Sequence, residues 1–331
     1  MTDWRHVPKV ELHLHLEGAA PPVFIRELAA EKKVDLAGLF DDAGNYAWSD
    51  FAEFLKAYER ACEVLTTPGD YHRLMDAVLR KSAEDGVVYT EIFLAPDLCG
   101  DGSSVAWAEY LAAMTEAARE AEDQHGIVAR FIPTAVRHLG AETAERTAET
   151  TASNMNEYVT GFGMGGEERF GHPKDFARAF ALAGEAGLGL TAHAGEICGA
   201  DSVADALEHL KVTRIGHGVR AIEDPAVVEM LRERGTVLEV NPGSNIALGV
   251  YGDWNEHPIK RLRDAGVKVT VSTDDPPYFH TDLPMEYDQL SRCFDWNKRD
   301  FLEMNRVAMG AAFCDEETRS KIYDILENGD A

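Results

Sequence analysis

The chain has 331 residues, 45% of them hydrophobic and 27% charged, with a formal net charge of -26. That is the make-up of a globular protein with a sizeable apolar core, and its acidity argues against nucleic acid or an anionic membrane as partner. Five cysteines without any CxxC pair form no disulfide framework, the polar start from Met1 to Pro8 is no signal peptide, and no apolar run reaches membrane-spanning length, so the expected place is the reducing cytoplasm.

The first element, Lys9 to His15, reads as a strand. Period-2 alternation points His13 and His15 to one face and Leu12, Leu14 and Leu16 to the other. With 12 histidines in the chain, roughly 0.4 His-x-His pairs arise by chance, so the pair gains meaning only from residues far downstream. Gly18 lets the chain turn away from the strand. Pro21-Pro22 opens a helix to about Lys33, Trp48 to Leu65 carries an apolar helical stripe, and a third helix covers about Asp70 to Asp85.

From there strands and helices alternate. Strands are expected at 87–94, 127–136, 158–164, 188–193, 213–217, 236–241 and 267–273. The intervening helices run from Ser103-Ser104 to His125, then to about Asn154, then over Pro173–Ala186, Asp201–Leu210, Pro225–Arg234 and His257–Ala265. Glu286 to Ala331 reads as helical. Eight strands separated by helices predict a parallel sheet closed as a (β/α)8 TIM-type barrel, one domain over 1–331, with extra helices after the first strand and at the C-terminus. An open doubly wound sheet of eight strands is the other arrangement. The three helices before Gly86 are placed to cover the barrel mouth.

Working residues of such a barrel sit at the carboxyl ends of its strands. Here those ends carry His13 and His15, Gly165-Gly166, His193, His217, Asn241 and Asp274-Asp275. His13, His15, His193 and Asp274 offer three imidazoles and a carboxylate, a donor set suited to zinc, which lowers the pKa of bound water to about 7. Glu196, three residues after His193, is either a general acid or a charge at the start of the next helix. His217, between two glycines, would hold a water or take its proton. Asp275 would accept a hydrogen bond from water or substrate, or else belong to an Asp-Pro turn. His72, His125 and His209 read as ordinary helix and turn histidines, while His257 and His280 stay open.

Pro8-Lys-Val-Glu-Leu-His-Leu-His-Leu-Glu-Gly18, His193-Ala-Gly-Glu196, Arg214-Ile-Gly-His-Gly218, Ser244-Asn245 and Ser272-Thr-Asp-Asp-Pro276, in this order, resemble the adenosine deaminase family of the metal-dependent amidohydrolases. The resemblance implies one zinc per chain on His13, His15, His193 and Asp274. It makes Glu196 the proton donor to purine N1, and His217 the residue that orients and deprotonates the water. Asp275 would contact that water or ring N7. Gly166, or its neighbour Gly165, would meet the purine edge through the backbone, with His15 and Glu17 also at the substrate. The reaction so implied is hydrolytic deamination of a small-molecule purine. No Pro-Cys-x-x-Cys motif of the other zinc deaminases is present, and the strand at 158–164 has no lysine for a two-metal centre. Adenosine, and 2'-deoxyadenosine with it, is the expected substrate, because Thr281 to Tyr287 resembles the adenosine enzymes. Glu17 stands where those enzymes have Asp and matches the adenine deaminases, so adenine, or another 6-aminopurine, is the alternative. A catalytically inactive purine-binding barrel is the reading of another class.

Overall fold

A computed structural model describes residues 3–100 and 102–328. The ends of the expected domain and of its last helix, 1–2 and 329–331, lie outside the described residues. The eight strands are β1 (Lys9–His15), β2 (Val87–Leu94), β3 (Val128–Val136), β4 (Gly161–Gly165), β5 (Gly189–Ala194), β6 (Arg214–His217), β7 (Val237–Val240) and β8 (Lys268–Val271). They pair in parallel in chain order. Around β8 and β1 the ring is drawn together by hydrogen bonds from Asp274 N to His13 O (3.2 Å) and from His15 N to Asp274 O (3.1 Å). This is the nearly closed TIM-type barrel that the alternation predicts. Both faces of such strands are covered, which is why they read as apolar runs; Leu12, Ile92, Phe131, Ile215 and Leu238 are fully buried.

Helices α1 (Pro22–Lys32), α2 (Phe51–Cys62) and α3 (Pro68–Glu84) fill the long first connection. Asp50 caps α2 by accepting from Glu53 N, and Thr67 with Asp70 forms a capping box on α3. Two short helices, Pro242–Ala247 and Pro276–Phe279, were not expected. Each begins with proline at its first position, so what reads as a turn after Asp275 starts a helix instead. The expected helix 173–186 is two pieces, a 3-10 turn Pro173–Phe176 and a helix Ala177–Glu185. Of the C-terminal helices, Lys298–Ala311 packs on β1 and β8, where Asn305 accepts from Val10 N (3.0 Å) and donates to Pro8 O (3.0 Å). No helix among the described residues is long and apolar enough to cross a membrane.

Candidate active site

The carboxyl ends of β1, β5 and the segment after β8 bring His13, His15, His193 and Asp274 together, with one ligand atom from each within 4.8 Å of the others. His15 Nε2 lies 3.2 Å from His193 Nε2. Asp274 Oδ1 lies 3.4 Å from His13 Nε2 and 3.3 Å from His15 Nε2. A tetrahedral ion with bonds of about 2.0–2.1 Å has ligand atoms about 3.3–3.4 Å apart, so the spacing fits a cation of that size. His13 Nε2 is buried without a hydrogen-bond partner, as an atom meant for a metal would be.

The other ring nitrogens of His13 and His193 are tied back. His13 Nδ1 meets Glu239 Oε2 at 2.9 Å, and His193 Nδ1 meets the carbonyl of Met164 at 2.8 Å. A proton on each Nδ1 satisfies those acceptors and leaves Nε2 bare toward the centre. Glu239 is itself held by Arg214 Nε (2.6 Å) and Thr191 Oγ1 (2.9 Å), and Arg214 Nη2 pairs with Glu91 at 2.6 Å. Ser244 Oγ donates to the second oxygen of Asp274 at 2.7 Å. Burial would lower His13, but Asp274 and Glu239 beside it lift it to about 9. Burial would raise Asp274, yet the His13 and His15 imidazoles beside it hold it well below the usual carboxylate range. A dication among these groups would favour bare ring nitrogens and an ionised Asp274 still further.

Beside this shell lies a cavity of about 250 Å³, lined by Glu17, Gly165, Gly166, Glu196, His217 and Asp275 among others. Helix α2 roofs one side with Phe51, Phe54, Leu55 and Tyr58; of the three extra helices expected to cover the mouth, α1 and α3 contribute no residue to the cavity lining. Burial, with Asp274 and Glu168 adding, holds Glu196 well above the usual carboxylate range. Burial and the carboxylates of Asp274, Glu196 and Glu17 do the same to Asp275. His217, driven down to about 4 by burial, has Nε2 3.8 Å from both Glu196 Oε2 and Asp274 Oδ2. Glu17 is buried, accepts from Tyr71 OH (3.2 Å) and Tyr58 OH (3.4 Å), and is pushed up to about 7 by burial.

The backbone is strained where these side chains are presented: His217 has φ 60° and Asp274 φ 67°, a region that residues other than glycine seldom occupy. Gly18 lies in the turn expected after the first strand, at residues 16–19, and also serves a second purpose. A Cβ there would lie 1.5 Å from Asp275 Oδ1, so its small size makes room for that carboxylate.

Of the expected site residues, His15, Glu17, Gly165, Gly166, His193, Glu196, His217, Asp274 and Asp275 line this one cavity, while His13 and Asn241 are fully buried and His13 reaches only the ligand cluster beside it. His72 and His209 lie away on helices, and His209 joins Asp205 and Glu208 in a group near the surface. His125 and His280 are exposed. His257 is buried and bonded to Asn245 Oδ1 at 3.1 Å. Four residues are missed by the sequence pattern: His138 on the cavity wall, Glu239, Glu91, and Glu168, which accepts five hydrogen bonds from the segment after β5. Glu91 and Glu239 did carry a signal, since a charge inside an apolar parallel strand needs a buried partner.

Residues 8–328 match the adenosine deaminase family. The chain is 49% identical over 321 residues to an adenine deaminase of Rhizobium rhizogenes, covering 97% of this chain and 99% of the relative. Among solved structures it resembles an adenine deaminase from Arthrobacter aurescens, with a TM-score of 0.90, 28% identity and coverage of 97% and 98%. An amidohydrolase from Burkholderia ambifaria with bound Zn shares the fold, with a TM-score of 0.84, 24% identity and coverage of 98% and 94%. The chain belongs to the adenosine deaminase family and is a hydrolytic deaminase acting on an amidine C–N bond.

Proposed function

We propose that this protein is a zinc-dependent adenine deaminase, which converts adenine and water to hypoxanthine and ammonia. The observation that carries this reading is full-length identity of 48–49% to relatives named adenine deaminase. It favours adenine over the adenosine expected from Thr281–Tyr287. Glu17 agrees with it: a long carboxylate pinned by two tyrosine hydroxyls occupies the cavity, and an imidazole N–H, which the free base has and the nucleoside lacks, is a donor it can accept from.

His13, His15, His193 and Asp274 would hold one zinc ion. When bound there, the ion supplies Lewis acidity that brings ionisation of water to about neutral pH. Glu196, kept neutral by burial, gives its proton to ring N1 as water adds at C6. Asp275 accepts a hydrogen bond from the water or from ring N7. The backbone at Gly166, or Gly165, meets the other purine edge, with His15 and Glu17 completing the contact surface. His217 orients the water. The apolar side chains of α2 keep bulk solvent from the reacting ring.

Ammonia release from adenine, adenosine and 2'-deoxyadenosine tests the reading with the zinc-loaded protein. Adenine is expected to exceed both nucleosides in kcat/KM by at least about 100-fold. Turnover of adenosine without adenine would overturn the substrate, and zinc-loaded protein inert toward all three would return the inactive purine-binding barrel.

A further inference from the structure

The hydrogen bonds behind His217 have a fixed polarity. They begin at a group whose role is not in question, the backbone N–H of Ile259, which donates to His257 Nδ1 at 3.3 Å. A backbone amide only donates, so His257 Nδ1 is the bare nitrogen and its Nε2 carries the proton. That Nε2 lies 3.1 Å from Asn245 Oδ1. The amide nitrogen of Asn245 then faces His217 Nδ1 at 3.2 Å, joined by the amide nitrogen of Asn241 at 3.4 Å. Turning the Asn245 amide round would require His257 to accept at Nε2 and donate at Nδ1, straight into the Ile259 N–H. His217, Asn241, Asn245 and His257 are all buried, so water does not rescue a mismatched contact. His217 Nδ1 is therefore an acceptor, and its buried Nε2, which has no partner, faces the cavity.

We infer that Asn245 and His257 are positioning residues: through a relay that starts at the Ile259 amide, they hold His217 in the tautomer protonated at Nε2, so that it meets the reacting water as a hydrogen-bond donor and not as its base. The orienting half of the role implied by resemblance stands, and the deprotonating half does not. The proton that the water loses on adding to the ring goes to the Glu196 carboxylate, which is freed as Glu196 gives its own proton to N1, and not onto this imidazole. The elements explain how the relay is built. β6 delivers His217, the Pro242–Ala247 helix delivers Asn245, and the bend before the Ile259–Asp264 helix turns His257 inward.

The inference rests on the deaminase reading only for the identity of the oxygen that His217 meets; the tautomer can be read without any substrate. Long-range ¹H–¹⁵N spectra of the zinc-loaded protein labelled in histidine, assigned with His217→Asn and His257→Leu, should show bare Nδ1 and protonated Nε2 for both rings. His257→Leu removes the donor, and should lower kcat on adenine at least about tenfold with KM within about threefold, as loss of an outer partner does elsewhere. It should also mix the His217 tautomers. His257→Gln, which restores a donor to Asn245, should recover most of the rate. A proton on Nδ1 of His217 in the wild-type protein would overturn the inference. So would unchanged kcat in a folded His257→Leu, or a lost rate with the His217 pattern unaltered. If the leucine variant does not fold, the wild-type spectrum and the glutamine variant decide.

Discussion

Glu168 holds Glu196 by its backbone. The Glu168 carboxylate accepts Glu196 N at 3.1 Å, together with Gly195 N (2.6 Å), Ile197 N (2.7 Å), Cys198 N (2.8 Å) and Ser202 Oγ (2.6 Å). Two oxygens satisfy five donors, so one residue after β4 shapes the whole segment after β5. An amide has a single acceptor oxygen, and each buried donor left unmet costs about 1–3 kcal/mol. Glu168→Gln should lower the melting temperature and reduce kcat at least about tenfold while metal content stays the same. Thermal melts, steady-state rates and elemental analysis check this; a wild-type rate in the variant would show that Glu196 is placed without the clamp.

Glu239 stands behind His13 as an outer support of the metal shell. Its replacement by Gln weakens the hold on the Nδ1 proton and breaks the charge balance with Arg214. Such changes cost about 10–100-fold in metal affinity. The expected result is faster loss of activity to a chelator, with zinc restoring it in both proteins. Equal chelator sensitivity of variant and wild type would remove Glu239 from this role.

Glu17 is the group expected to separate base from nucleoside. Glu17→Asp withdraws the carboxylate by one methylene from Tyr58 and Tyr71. Activity on adenine should drop by at least about tenfold in kcat/KM, and the ratio of adenine to adenosine turnover should fall with it. An unchanged ratio would mean that the selection lies elsewhere on the cavity wall.

Glu286 gives a stability test outside the site. Burial raises it from 4.5 to about 8 against the hydrogen bonds from Thr281 and Gly243, with Glu11 and Asp282 adding to the rise. The folded chain therefore binds more protons here than the unfolded chain between those values, and unfolding free energy falls as pH rises. The contribution is complete below 4.5 and lost as pH climbs through about 8. Melting curves between about pH 5 and pH 9 should slope less steeply for Glu286→Gln than for the wild type; parallel curves would contradict the shift.

Local chemistry made much of this legible along the chain. Alternation aims His13 and His15 the same way, and the barrel periodicity puts His193, His217 and Asp274 at strand ends. Side-chain direction within a strand depends only on neighbouring residues. The groups that stand behind those side chains depend on far more. Glu239 meets His13 across 226 positions, and Asn245 lies between His257 and His217 because a helix begins at Pro242. Asp275 fits because Gly18 leaves space for it. The sequence by itself determined the repeating strand-helix fold and the set of ligand types. Only the tertiary structure decided which buried carboxylates and amides fix each ring's proton, because those partners meet only once the barrel closes.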